Sequence, residues 1–173
     1  MWPARLEQWR EDIEAAATAT GLDPTLIAAV MDRESLGGVG LTPKGPHGTG
    51  DFDPNHPGML GHGRGLMQID DRAFPVFCAD PGQWQDAGRN IMFGAQLLAR
   101  NLIDLDGNTA AAVAAYNCGV NRIARLLAAK PDATSKDFDG FTTGGNYSLD
   151  VLERKAKLDE ADREDPPPHL ASV

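Results

Sequence analysis

Asp23-Pro24-Thr25-Leu26-Ile27-Ala28-Ala29-Val30-Met31-Asp32-Arg33-Glu34-Ser35-Leu36-Gly37-Gly38 is the stretch from which the rest of the chain can be read. Asp23 is a good N-cap and Pro24 suits the first helical position, so a helix is expected from Pro24 to about Leu36, ended by the two glycines. Its apolar stripe is Ile27, Val30 and Met31. Position 34 is seven residues after Ile27, four after Val30 and three after Met31, so the stripe continues into Glu34. A carboxylate therefore stands where an apolar side chain belongs. Against an apolar wall an ionised acid loses hydration, which raises its pKa and suits it to donating a proton near neutral pH. The other reading is a glutamate at a frayed helix end, solvated or paired with Arg33 or another base.

Downstream the composition changes abruptly. Gly37 to Gly65 holds ten of the nineteen glycines, four prolines and three of the four histidines. Such a segment cannot be a regular helix; a loop this long is functional or disordered, and its place directly after Glu34 favours a cleft wall, a Gly-rich loop or small β-hairpin beside the cleft. Gly65-Leu66-Met67-Gln68-Ile69-Asp70 returns to apolar character, and Asp70 or Asp71 is expected to cap a short helical piece before Pro75. Asp80-Pro81-Gly82 reads as a turn. A long helix follows from Asp86 to Asp106-Gly107, with Ile91, Gly94, Leu98, Asn101 or Leu102, and Leu105 inward. Gly94 weakens that helix, so it is expected to admit a neighbouring helix closely.

Asn108 caps an alanine-rich helix from Thr109 to about Asn117, which Gly119 ends. Val120 to Ala129 forms another, and a polar stretch leads to a last helix from about Ser148 to Ala161. Before all of these, residues 3 to 19 predict a first helix with Leu6, Trp9, Ile13 and Ala16 or Ala17 at helical spacing, closed by Gly21. The expected fold class is thus α+β and predominantly α-helical. One domain should occupy residues 1–158, with 159–173 an acidic, proline-containing, disordered tail.

A chain of 173 residues can bury one sizeable core. Its formal net charge is −9 and its pI about 4.8, which argues against a general binder of nucleic acid or anionic membranes. Five acids and one arginine from Asp159 onward supply −4 of that charge. No run approaches a membrane span, and Met1-Trp2-Pro3 leads into a charged amphipathic segment instead of a leader, so no export signal is expected. Cys78 and Cys118 lie forty residues apart without metal spacing; they are either buried thiols or, if their segments pack together, one bridge.

Cleaving a glycosidic bond needs an acid for the leaving oxygen and a second carboxylate that directs water or stabilises positive charge. Three acids downstream of Glu34 could serve: Asp51, Asp53 and Asp70. Inversion requires a separation of roughly 6.5 to 9.5 Å, room for one water. Asp51 and Asp53 can equally be turn residues, and Asp70 an N-cap. Asp51-x-Asp53-x-Asn55 begins like a calcium loop, but His56 replaces the glycine and His62 the bidentate acid. His47, His56 and His62 match no familiar zinc spacing, so neither metal nor other cofactor is expected. Tyr116-Asn117 offers an aromatic face and an amide for a sugar ring, or else a buried tyrosine and a C-capping asparagine.

Taken together, Arg33-Glu34-Ser35, Gly65-Leu66-Met67-Gln68-Ile69-Asp70, Asn90-Ile91 with Gly94, Ala115-Tyr116-Asn117-Cys118-Gly119-Val120, and Asn146-Tyr147-Ser148-Leu149-Asp150-Val151 resemble the goose-type lysozymes. Related soluble lytic transglycosylases share the earlier motifs. The resemblance spans roughly residues 20 to 157 and implies a lysozyme-like fold that cleaves the β-1,4 bond between N-acetylmuramic acid and N-acetylglucosamine. Glu34 matches the general acid. Asp70 matches one of two aspartates that hold the attacking water, and Asp51 in Gly50-Asp51 is the best match to the other. Residues 52–60 look like an insertion, which leaves Asp53 as a competitor. Gln68, Tyr116 and Asn117 match cleft positions that contact substrate, and Tyr147 is placed near the acid. Asp70 and Asp51 favour an inverting, water-based hydrolase, expected to act as a monomer on peptidoglycan; the charge argues against nucleic-acid or membrane partners, and the lack of a leader and of a wall-binding repeat suits a phage lysis protein or virion-carried lysin. A lytic transglycosylase, a chitin-directed glycosidase and a non-catalytic wall-binding protein are the competing readings.

Overall fold

A computed structural model describes residues 1–50 and 61–165. Asp51, Asp53 and His56 lie outside the described residues. The helices are α1 (Ala4–Glu7), α2 (Arg10–Thr20), α3 (Pro24–Ser35), α4 (Pro75–Ala79), α5 (Pro81–Trp84), α6 (Ala87–Asp104), α7 (Thr109–Cys118), α8 (Val120–Ala129), α9 (Ser135–Asp139) and α10 (Tyr147–Glu164), with a 3-10 turn at Thr143–Gly145. Two short strands, β1 (Gly63–Arg64) and β2 (Ile69–Asp70), pair antiparallel with Gly63 opposite Asp70 and Arg64 opposite Ile69. The expected α+β, mainly helical class with a small hairpin is therefore observed.

Helix α3 runs through the centre, packed against α10 and α2. Its N-terminus is as read: the Asp23 carboxylate accepts from Thr25 N at 3.0 Å and Pro24 occupies the first turn. Every residue from Thr25 to Asp32 is buried. A helix apolar on all sides has no solvated face and must lie inside the domain. Asp32 is the charged exception, and it is matched: Arg5 Nε donates to Oδ1 at 2.7 Å, Arg5 Nη2 to Oδ2 at 3.1 Å, and Arg154 of α10 also donates to Oδ2. Burying this carboxylate without such partners would cost several kcal/mol on the scale of about 3–5 kcal/mol for a broken buried pair.

Several expectations are corrected. The first helix is not continuous: it breaks at Gln8-Trp9, where the Trp9 indole turns to donate to the Gly37 carbonyl at 3.0 Å. No helical piece precedes Pro75. Asp70 instead closes a turn, accepting from Arg72 N at 2.8 Å, and α4 starts at the proline because its fixed φ and missing N–H suit a first turn. Asp80-Pro81-Gly82 opens helix α5, capped by the Asp80 carboxylate on Gly82 N. Helix α9, with a capping box between Thr134 and Asp137, falls in the stretch read only as polar.

The tail boundary also moves. Helix α10 continues through residues 159–164, because Asp159 accepts from Thr25 Oγ1 at 2.5 Å and from Lys155 Nζ at 2.9 Å, and Asp162 accepts from Arg10 at 3.1 Å. Acids assigned by composition to a disordered tail are tied to α2, to α3 and within α10. Among the described residues no helix is long and apolar enough to cross a membrane.

Gly94 does admit a close approach, but from the hairpin and not from a helix. A Cβ on Gly94 would lie 2.7 Å from both the Cβ and the Cε of Met67. Gly94→Ala gains about 1 kcal/mol of helix propensity yet meets an immobile Cβ, and overpacking costs about 1–3 kcal/mol. Urea unfolding should show a net loss of about 1 kcal/mol for this variant; a gain in stability would show that Met67 can withdraw.

Candidate active site

Glu34 sits in the last turn of α3, half-buried, where the helix emerges from the core. That end is not frayed. Leu36 takes a left-handed conformation (φ 51°), the Ser35 hydroxyl accepts from Gly38 N at 3.1 Å, and the Ser35 carbonyl accepts from Gly38 N and Gly40 N at 3.0 and 2.9 Å. Gly37 is required here: at φ 62° its missing Cβ would stand 2.1 Å from the Arg5 carbonyl oxygen. The glycines thus lock the turn that carries the acid.

Across from it, the Tyr147 phenol on the first turn of α10 donates to Glu34 Oε1. Tyr147 is buried, and burial pushes its pKa well above the usual phenol value, with the nearby charge of Glu34 and their hydrogen bond adding to the shift. Tyr116 is raised for the same two leading reasons, burial first and Glu34 second, and its hydroxyl donates to the Met67 carbonyl at 2.9 Å. Both phenols therefore stay protonated donors beside the acid. Arg33 extends the arrangement. Its guanidinium lies 5.6 Å from the Tyr147 ring centroid, reaches Asp150 at 3.4 Å and donates to Asn146 Oδ1 at 3.2 Å. It faces α10 instead of pairing with Glu34.

A groove of about 520 Å³ opens beside this centre, lined by Gln68, Asp70, Tyr116 and Asn117 together with residues of α6 and the start of α8. Four of the expected site residues thus share one surface, and Tyr116 connects that surface to Glu34. Asp70 is held ionised. The hydrogen bond from the Arg72 guanidinium (2.7 Å to Oδ2) outweighs partial burial, and with backbone donors from Arg72 and Ala73 it lowers the carboxyl to about 2. Asn117 Oδ1 accepts from Thr143 N at 2.8 Å, so it ties α7 to the 3-10 turn while its amide NH2 is left for the groove.

Gln68 is a support as well as a lining residue. At φ 48° it lies in the left-handed region, its Nε2 donates to the Gly65 carbonyl at 2.7 Å, and its Oε1 occupies the space where Gly50 and Gly63 would each carry a Cβ, 2.2 Å away. It thereby fixes the backbone directly before Asp51.

Sequence reasoning quoted Asn90 only within a family motif and missed that it seats the hairpin. Asn90 of α6 is buried; its Oδ1 accepts from Met67 N at 2.8 Å and its Nδ2 donates to the Arg64 carbonyl at 3.0 Å. An asparagine on the otherwise apolar inner face of an amphipathic helix was the available signal, since a buried amide needs partners. His62 and Arg64 pair with Asp71, with His62 Nδ1 2.8 Å from Asp71 Oδ1. Cys78 and Cys118 are both free thiols, and Cys118 lines the groove.

The chain also matches known proteins in sequence and in fold. Residues 11–138 match the family model described as the transglycosylase SLT domain. The chain is 31% identical over 159 residues to a lysozyme g of Epinephelus coioides, covering 87% of this chain and 74% of that one. It is 29% identical over 161 residues to a lysozyme g of Cyprinus carpio, covering 87% and 72%. In fold it is similar to an inactive mutant of the lytic transglycosylase Slt from Pseudomonas aeruginosa, with a TM-score of 0.62 at 22% identity, over 92% of this chain but only 25% of that larger protein. From the matched family model and the goose-type relatives, this chain belongs to the transglycosylase SLT domain family of the lysozyme-like superfamily.

Proposed function

We propose that the protein is a peptidoglycan muramidase that hydrolyses the β-1,4 bond between N-acetylmuramic acid and N-acetylglucosamine, with Glu34 as general acid. The observation that carries the reading is the pairing of Glu34 with the Tyr147 phenol at the emerging end of a buried helix, beside a groove that holds an ionised Asp70. In this reading Glu34 carries the transferable proton while its Oε1 accepts from the phenol. Once that proton has passed to the leaving oxygen, the Tyr147 bond becomes charge-assisted and stronger, so it stabilises the state that follows transfer more than the one before it.

Asp70 supplies negative charge for the oxocarbenium-like transition state and an acceptor for the attacking water. Its ionisation at all working pH supports a water-based, inverting route. Asp51 is the preferred partner in holding that water and Asp53 its competitor. The lytic transglycosylase reading is favoured by the matched family description and by the fold neighbour. There the muramyl 6-hydroxyl, and not water, captures the cation and leaves a 1,6-anhydro end.

Glu34→Gln should lower lytic activity by about 10²- to 10⁴-fold with unchanged circular dichroism. Activity equal to wild type would sink both enzymatic readings. Mass spectrometry of digested peptidoglycan should find reducing muramic acid ends as the main product; a majority of anhydro-muropeptides would replace the hydrolase with the transglycosylase.

Tyr147→Phe removes one hydrogen bond that strengthens during reaction, so kcat should fall about tenfold with little change in KM. A change confined to KM would make Tyr147 a substrate contact only.

The Asp70 carboxyl, lowered to about 2, predicts a specific pH behaviour. A depressed folded pKa gives an ionised group above the unfolded value near 3.8, lost only as pH falls toward 2. Removing the guanidinium in Arg72→Ala should return the carboxyl toward its ordinary value. Activity at about pH 3.5, relative to about pH 6, should then drop more in this variant than in wild type. Superimposable pH profiles would show that Asp70 ionisation is not needed.

A further inference from the structure

The groove has a cationic wall that the chemistry of bond cleavage does not use. Arg122 and Arg125 both line it, from the first two turns of α8. Three residues apart, they share one helix face. Arg5, Arg10, Arg64 and Arg154 all close on carboxylates, whereas Arg122 and Arg125 make no ion pair among the described residues. In a chain of net charge −9, these two guanidinium groups are the ones without an ion pair that line the groove; Arg89 and Arg163, also without one among the described residues, do not line it. Arg122 is solvent-exposed, yet near enough to the groove-lining Cys118 to lower its thiol pKa against the larger, raising effect of burial. The helix contributes in the same sense. Gly119 caps it without a side chain, so no carboxylate or hydroxyl neutralises the positive end of α8.

A glycan of N-acetylglucosamine alone offers these groups nothing, being uncharged. Muramic acid differs from it by a lactyl ether that ends in a carboxyl. In strands without peptide that carboxylate is free; in strands with peptide it is an amide, and the free carboxylates are those of the stem. We propose that Arg122 and Arg125 form a carboxylate-binding subsite that takes the acidic substituent of a muramyl residue and gives the groove its preference for peptidoglycan over neutral glycans. Planar guanidinium groups pair with carboxylates in bidentate fashion, so the pair orients the muramyl ring as well as attracting it. This rests on the muramidase reading above.

The test uses three substrates: glycan strands stripped of peptide, the same strands with their lactyl carboxyls converted to amides, and peptide-bearing strands. Wild type should cleave a carboxylate-bearing form about fivefold better in kcat/KM than the amidated form, through KM, as expected for solvent-exposed pairs. The advantage should shrink in about 1 M salt, where screening acts over roughly 3 Å. The Arg122→Gln/Arg125→Gln double variant should cleave charged and amidated strands equally, and the double lysine variant should retain part of the preference. Preference for the stripped strands assigns the lactyl carboxylate as the ligand; preference confined to peptide-bearing strands assigns the stem. Equal cleavage of all three by wild type, or a preference that survives the double glutamine variant, overturns the subsite. Failure of the muramidase reading itself looks different, since wild type would then match Glu34→Gln on every substrate.

Discussion

The burial of α3 on every side is the constraint from which the rest of the architecture follows. Thr25 to Asp32 form a continuous buried run, which requires α2, α10 and the inner face of α6 to surround it. Apolar area drives this at about 25 cal/mol per Å², and the Asp32 carboxylate sets its orientation. Arg5 from the N-terminal segment holds both of its oxygens, and Arg154 from α10 donates to Oδ2 as well. Because that ion cluster lies two residues before Glu34, the end of the helix cannot rotate without breaking it. The acid therefore leaves the core at a defined angle, half-buried, facing the phenol that α10 brings to it.

The groove wall depends on a second set of contacts, all from α6 to the hairpin. Asn90 holds both arms of the turn through Met67 N and the Arg64 carbonyl, and Gly94 lets Met67 lie against the helix backbone. Gln68 fills the gap beneath Gly50 and Gly63. With those positions set, the Met67 carbonyl meets the Tyr116 hydroxyl, and Asp70 emerges from β2 into the groove. Residues that look like a substrate-contact motif in the chain are thus largely the fasteners of the wall. The groove's polar lining follows from the same geometry, since β2 delivers a carboxylate to it and α8 two arginines.

Much of this was legible in the order of residues. The helix from Asp23 to Ser35, the alanine-rich α7 and the long α6 follow from caps, breakers and 3.6-residue periodicity, which are local rules. The unexpected elements are those where a local rule was overruled from a distance. The break at Trp9 comes from a hydrogen bond to Gly37, twenty-eight residues on. The extension of α10 to Glu164 comes from Thr25 and Arg10, which absorb acids that by composition alone belong to a disordered tail. Short helices such as α5 and α9 carry too few residues for periodicity to register, so only their caps announce them.

For the site, the sequence by itself determined that Glu34 continues an apolar stripe and that Asp70, Gln68, Tyr116, Asn117 and Tyr147 are its companions in family order. Spacing within one helix suffices for the first, because side-chain direction repeats with the turn. Tertiary structure alone decided what the companions do. It makes Tyr147 the donor to Glu34, turns Arg33 away from the acid toward Asp150, assigns Asn90 to the hairpin, and sets Asp70 against Arg72. Each of the first three spans between 23 and 117 residues of chain, and no local propensity encodes which of several possible partners a buried polar group will meet. The Arg72 contact is only two residues long, yet its effect on Asp70 depends on how much water the groove leaves around the carboxylate, and that too is a property of the assembled fold.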